Sequence, residues 1–191
     1  MYFDLFLAYQ INHYHFPFSL LLIVSDYYQF LNFLMTNFLS ESASFAELIR
    51  QFEGFSVLVL GHRRPDGDCI GSQVALTRIL RAMGINAIAV NNDPVPRTLQ
   101  KFVGDTPFTD PQGIEAGDYK IVTVDCADHA RVGDELRKRF PSVFLNVDHH
   151  VSNTKFAEHN FVLSDASATG EILAKFFFDS DLEVDQTTAD A

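Results

Sequence analysis

Residues 57–68 read Val57-Leu58-Val59-Leu60-Gly61-His62-Arg63-Arg64-Pro65-Asp66-Gly67-Asp68, an apolar run that passes directly into a knot of aspartate and histidine. The pattern recurs twice. Ile121-Val122-Thr123-Val124 ends at Asp125, and Val143-Phe144-Leu145-Asn146-Val147 ends at Asp148-His149-His150. Short β-branched runs bounded by turn residues read as buried parallel strands. In open α/β sheets, ligands gather beyond the carboxyl ends of such strands. Three acid/imidazole clusters, tens of residues apart in sequence, are therefore expected to meet in space.

The surrounding chain alternates helix and strand. Ser44 reads as the cap of a helix to about Phe52, with Glu47 completing a capping box. Strand 56–61 and the Asp-rich loop follow. A helix opening at Gly71-Ser72 carries Val74, Leu76, Ile79, Leu80 and Met83 on one face and stops at Gly84. Residues 86–91 read as a strand, 96–103 as a short helix, and 104–118 as loop. Strand 120–125, helix 128–139 and strand 143–148 make a second βαβ unit. A short strand at Phe161-Val162-Leu163, a helix from Thr169 to Phe178 and a last helix capped by Asp185 complete the pattern. Such alternation predicts an α/β fold, a mostly parallel sheet flanked by helices.

Composition narrows the function. A chain of 191 residues with 47% hydrophobic content is one domain with a real core. Its net charge of −11 and lack of a basic stripe exclude tight binding to long nucleic acid, which rests on many Lys/Arg–phosphate contacts. A small anionic substrate stays open if metal ions supply positive charge locally. Cys69 and Cys126 form no CxxC pattern and read as small buried packing residues in a reducing, cytoplasmic setting.

Residues 1–40 form a hydrophobic N-terminal extension rich in Phe, Tyr and Leu, with no Lys or Arg before Arg50. From Leu5 to Ser25 no charged side chain occurs, long enough to span a bilayer. Gln10, Asn12, His13, His15 and Pro17 interrupt that stretch, and no basic segment or small-residue cleavage site marks a signal peptide. Three readings stand open: a membrane anchor, an extra hydrophobic helix, or translated sequence upstream of Met35.

The chemistry lies in the clusters. His62, Asp66 and Asp68 share a loop in which Pro65 disfavours helix at Arg64 and Gly67 allows a tight turn. Carboxylates two residues apart repel unless a cation sits between them. A single strand-end aspartate is usually a turn or cap residue, but six or seven acid and imidazole groups on three strand ends are not explained by turns. Oxygen ligands mixed with imidazole suit Mn²⁺, Mg²⁺ or Co²⁺ better than structural zinc. Two ions bridged by one aspartate would balance the charge, an arrangement used in phosphoryl chemistry to generate a hydroxide nucleophile. Arg63 and Arg64 could contact phosphate, although exposed loop arginines are the ordinary reading, and the N-terminus at Gly71-Ser72 could hold an anion with its N–H groups. No dinucleotide fingerprint, phosphate-binding P-loop or nucleophile-serine elbow occurs.

The ordered set of residues 61–72, Val124-Asp125 and Val147-Asp148-His149-His150 with Asn153 resembles the DHH phosphoesterase family. Asp165-Ala166-Ser167-Ala168-Thr169-Gly170-Glu171 also resembles that family's Asp-x-x-Ala-x-Ala-Thr-Gly-Glu stretch. The likeness covers roughly residues 44–191 and points in particular to bacterial enzymes that degrade short oligoribonucleotides and dephosphorylate 3′-phosphoadenosine 5′-phosphate. It implies that His62 and Asp66 bind one Mn²⁺, that Asp68 and His149 bind the other, and that Asp125 bridges them. Asp148 would orient a histidine, and His150 would face the phosphate. Arg64, Ser72 and Asn153 are the substrate-binding candidates, and Glu171 would hold the helix after the site.

The resemblance also implies a fourth motif and a small substrate-binding domain beyond Ala191. The catalytic domain at 44–191 therefore reads as incomplete at its C-terminus. A cyclic-dinucleotide phosphodiesterase, a pyrophosphatase and a catalytically inactive metal- or nucleotide-binding fragment are the alternatives, and an oligomer is compatible with all. A chain begun at Met35 is expected to be soluble and to keep its circular-dichroism spectrum. Its insolubility would contradict the reading of residues 1–34 as dispensable.

Overall fold

The computed structural model of the protein describes residues 40–180, 182 and 184–189. The three readings of the N-terminal extension therefore lie outside the described residues. Six strands alternate with helices: β1 (Ser56–Leu60), β2 (Asn86–Val90), β3 (Phe108–Thr109), β4 (Tyr119–Val124), β5 (Leu145–Asp148) and β6 (His159–Val162). The helices are α1 (residues 40–50), α2 (Gly67–Ala82), α3 (Gln100–Val103), α4 (Asp134–Arg139), α5 (Thr169–Asp179) and α6 (Gln186–Ala189). No helix among the described residues is long and apolar enough to cross a membrane.

The strands form one sheet in the order β3-β2-β1-β4-β5-β6. Every neighbouring pair is parallel, so the predicted α/β architecture is found in an all-parallel form. From β1 the sheet grows one way through β2 and β3, and from β4 the other way through β5 and β6. The order reverses between β1 and β4, and a crevice opens beyond the carboxyl ends of strands at such a switch point. His62 follows β1 and Asp125 follows β4, so topology alone places them together.

Strand alternation sends side chains to two faces. Val57, Val59, Val122, Leu145 and Val147 pack against α1, α2 and α5, where Phe45 stacks on Phe176 at 4.8 Å between ring centroids. Leu58, Leu60, Val90 and Ile121 pack on the other face with Val132 and Leu136. Both faces are covered, as an all-parallel sheet requires. The central strands β1, β4 and β5 are largely buried, and their carboxyl ends lead into the polar cluster.

Several boundaries differ from the sequence reading, each for a physical reason. Ser44 lies inside α1 rather than at its cap; the Ser42 hydroxyl donates to Asp179 Oδ2 at 2.8 Å, and this tertiary anchor carries the helix past the local signal. α2 starts at Gly67, not Gly71, because Asp66 caps it, accepting from the Cys69 N–H at 3.1 Å. Gly67 is thus the first helical residue, and Arg64, with φ 55°, makes the left-handed turn. The 104–118 stretch holds β3, whose two residues are too few to show a period. The 128–139 helix is split at Gly133 (φ 102°) into a 3₁₀ turn, His129–Val132, and α4. Gly84 ends α2 as expected: its N–H reaches the Arg81 carbonyl and the Ile85 N–H reaches that of Leu80.

The end of β1 is pinned where it matters. Gln73, buried on α2, donates through Nε2 to the carbonyls of Val59 (2.8 Å) and Val90 (3.1 Å). Asn91 Oδ1 accepts from the Gly61 N–H at 3.1 Å. A Cβ on Gly61 would lie 2.5 Å from Cys69 Sγ and from Gln73 Oε1. Gly61→Ala is therefore expected to destabilise the fold by about 1–3 kcal/mol through overpacking, seen as a lowered Tm in thermal denaturation. An unchanged Tm would show that this close approach is relaxed in solution.

Candidate metal centre

The loop after β1 is held by its backbone. The His62 N–H points to Cys69 Sγ (3.3 Å), Arg63 N–H to the Arg131 carbonyl (2.7 Å), and Arg64 N–H to Asp93 Oδ2 (2.7 Å). These anchors fix the buried His62 ring. Its Nδ1 lies 2.9 Å from the Arg63 carbonyl, which can only accept, so Nδ1 carries a proton. Nε2 is left facing Asp125 Oδ2 at 3.4 Å and Asp66 Oδ1 at 3.8 Å.

Asp125 stands at the middle. It follows β4 with a left-handed backbone (φ 57°), and its N–H donates to the Val147 carbonyl at 3.0 Å. Strained conformations of this kind in non-glycine residues concentrate at functional sites. The side chain is 2% exposed. While Oδ2 faces His62, Oδ1 faces His149 Nε2 (3.7 Å), His150 Nδ1 (3.6 Å) and the Thr169 hydroxyl (3.1 Å). One carboxylate thus looks into two half-sites.

β5 delivers the other wall. His149 Nδ1 lies 3.4 Å from the Ala166 carbonyl, and its Nε2 is 3.7 Å from Asp68 Oδ2. Asp148 is fully buried; its Oδ1 accepts from His150 Nδ1 at 2.8 Å and its Oδ2 from Asn153 Nδ2 at 2.6 Å. Asn153 also donates to the Cys126 carbonyl at 3.1 Å, so its amide is engaged beneath His150. Ser72 is buried on α2 and donates to Asp68 Oδ1 at 3.3 Å. Arg64 is exposed on the loop.

The sequence reading missed how α5 takes part. The N–H groups of Thr169 and Gly170 donate to the two oxygens of Asp68 at 2.8 and 2.9 Å. Glu171 accepts from the N–H and hydroxyl of Ser167 at 2.9 and 2.8 Å, which fixes the start of that helix. The 165–171 stretch was the available signal, but no local pattern reveals contacts made across about a hundred residues.

Burial and close opposite charges shift the titration of several of these groups. The hydrogen bond to Asp125, aided by Cys69 and opposed by burial, pushes the His62 imidazole up to about 11. Burial raises Asp125, but the bond and charge of His62 and the charge of His150 outweigh it and hold the carboxyl below its ordinary range. Asp68 is raised by burial; the Gly170 amide opposes this and the negative charge of Asp125 adds to it. Burial also lifts the Cys69 and Cys126 thiols, which disfavours thiolate ligands. Two ligand groups, His62-Cys69-Asp125 and Asp125-His149-His150, have donor atoms within 4.8 Å of one another and share Asp125. His150 Nδ1 is already bonded to Asp148, and Cys69 accepts a backbone N–H. The imidazole Nε2 atoms and the oxygens of Asp66, Asp68 and Asp125 remain, a hard mixed set that fits a divalent cation.

An all-parallel α/β sheet with such a cluster at its switch point is the build of a domain carrying a divalent-metal centre. Residues 56–191 match the DHH family, N-terminal domain, and the chain belongs to that family. It is 32% identical over 128 residues to the bifunctional oligoribonuclease and PAP phosphatase NrnA of Thermus thermophilus, covering 67% of this chain and 38% of that protein. With the same-named protein of Bacillus subtilis the identity is 28%, over 70% of this chain and 42% of the relative. A probable manganese-dependent inorganic pyrophosphatase of Lactobacillus acidophilus is 28% identical over 69% of this chain and 43% of its own. The chain thus spans about two fifths of the length of these relatives. In structure it is similar to an exopolyphosphatase-related protein from Bacteroides fragilis, with TM-score 0.61 and 20% identity over 70% of this chain and 42% of that one.

Protonation makes the cation requirement testable. His62 is raised from 6.5 to about 11, so its charged form stabilises the metal-free protein fully below about pH 6.5, and that contribution fades as pH rises through about 11. A metal at Nε2 must displace this proton. Mn²⁺ titrated calorimetrically near neutral pH, in buffers of different ionisation enthalpy, is expected to release roughly one proton per protein. Uptake with no proton release would remove His62 from the ligand set.

Proposed function

We propose that this chain is the catalytic domain, residues 44–191, of a cytoplasmic Mn²⁺-dependent phosphoesterase acting on short oligoribonucleotides and on 3′-phosphoadenosine 5′-phosphate. The observation that carries the proposal is Asp125, buried between His62 on one side and His149 on the other. His62 and Asp66 would hold one ion, Asp68 and His149 a second, and Asp125 both; Mg²⁺ or Co²⁺ would fit the same donors. When bound, such ions supply the Lewis acidity that activates water and neutralises phosphoryl oxygens.

The chain's own residues do the rest. The Arg63 carbonyl holds the His62 tautomer and the Ala166 carbonyl that of His149, so each ring presents Nε2. Asp148, itself held by Asn153, accepts a hydrogen bond from His150 Nδ1–H and fixes the orientation of that ring. The half-exposed His150 ring then has Nε2 left to bind a phosphoryl oxygen or protonate a departing one. Ser72 and Asn153 serve the substrate through Asp68 and Asp148, and Arg64 offers a direct phosphate contact from the exposed loop. Similarity to NrnA proteins supports the two substrates, and similarity to a probable manganese-dependent pyrophosphatase supports the metal.

The test is turnover of a short RNA, of 3′-phosphoadenosine 5′-phosphate and of pyrophosphate with Mn²⁺ present. Hydrolysis of the first two is expected, and Asp125→Asn should lower it by more than about 100-fold, beyond the loss typical of residues behind the ligands. Near wild-type activity in D125N would sink the proposal. Hydrolysis of pyrophosphate alone would reassign the substrate. Mn²⁺ binding without any turnover would favour a binding fragment.

A further inference from the structure

One residue touches both carboxylates that face His149. Thr169 donates its backbone N–H to Asp68 Oδ2 at 2.8 Å and its hydroxyl to Asp125 Oδ1 at 3.1 Å. It is fully buried, and its hydroxyl bonds across 44 positions rather than to its own helix. The next N–H, that of Gly170, takes the other Asp68 oxygen at 2.9 Å. The cap position, Ala168, has no side-chain bond to offer, so the first two amides of α5 are satisfied by Asp68 alone.

We infer that Thr169 is a positioning residue for the metal centre, fixing Asp68 and Asp125 relative to each other so that both present free lone pairs to one cation. The inference rests on the metal-centre reading above. Two carboxylates brought together without a cation repel each other. Here the amides and the hydroxyl hold them in place from behind, on the side of α5. A carboxylate oxygen has two lone-pair directions. The Thr169 hydroxyl occupies one of those on Asp125 Oδ1 and the Thr169 N–H one on Asp68 Oδ2, leaving a lone pair on each for a cation, while the Gly170 N–H and the Ser72 hydroxyl (3.3 Å) take both on Asp68 Oδ1. The rotation of both carboxyl groups is thereby fixed before metal arrives. Threonine suits the position for two reasons: the hydroxyl reaches Asp125, and the β-branch limits χ1, which aims it there. The same residue is the first of α5, so the orientation of that helix and the geometry of the ligands are one constraint.

Thr169→Val keeps the amide, the volume and the β-branch while deleting only the hydroxyl; Thr169→Ser keeps the hydroxyl. With the 191-residue chain, Mn²⁺ affinity is measured by calorimetry and the Tm of the metal-free protein by circular dichroism. T169V is expected to weaken Mn²⁺ binding by about 10- to 100-fold, the range seen when groups behind metal ligands are removed, and T169S to restore it. A purely structural hydroxyl would lower the metal-free Tm in T169V and leave the affinity at the wild-type value, which would overturn the inference. If T169V does not fold, T169A, which leaves space rather than a methyl group, carries the same comparison with T169S. Failure of the wild-type chain to take up Mn²⁺ would bring down the metal-centre reading and this inference with it. Tight wild-type binding matched by T169V would bring down this inference alone.

Discussion

A buried carboxylate that must serve two sets of partners sets the terms for the rest of this domain. Asp125 sits at the sheet's switch point, in a left-handed conformation, with one oxygen toward His62 and the other toward His149, His150 and Thr169. Burying a charge is costly unless it is paired. The neighbouring structure can be understood as the means of keeping that charge ionised, in place and accessible from two sides. The parallel sheet provides the rigid walls: β1 and β4 are adjacent, in register and buried on both faces, so the residues just beyond them have little freedom.

The second tier of contacts matters as much as the ligand candidates. Gln73, Asn91, Asp93 and Cys69 tie down the loop after β1 through backbone atoms. Asn153 and Asp148 tie down His150, and the first amides of α5 tie down Asp68. Each candidate ligand is therefore oriented by a group that does not itself face the centre of the cluster. Such support is what holds a metal site to its productive geometry. It also places the Asp125 carboxylate against His62, whose imidazole it pushes up to about 11.

Much of this was legible in the sequence because strand ends and hard ligands leave strong local signatures. The three runs ending at His62, Asp125 and Asp148 mark three of the six strands, their parallel sense and the meeting of their ends. What was hidden depends on distance or on competition between signals. Asp66 won the helix cap over Gly71-Ser72, since a side-chain acceptor for free N–H groups outweighs a glycine-serine pair. Gly67 looks like the turn residue, yet Arg64 takes the left-handed conformation, with its N–H held by Asp93 Oδ2 at 2.7 Å. The clamp of α5 on Asp68 joins residues 101 and 102 positions apart, and no periodicity encodes it. Gly133 split a helix that its flanking residues favoured, because the chain there passes against Asn92.

In the proposed centre Asp125 is shared by two cations. Anomalous scattering at the manganese absorption edge, from crystals of the protein grown with Mn²⁺, tests this directly. Two peaks are predicted, one beside His62 and Asp66 and one beside Asp68 and His149, with one Asp125 oxygen or each of its two oxygens bound to the pair. A single peak, or two peaks with Asp125 bound to neither or only one, would contradict it.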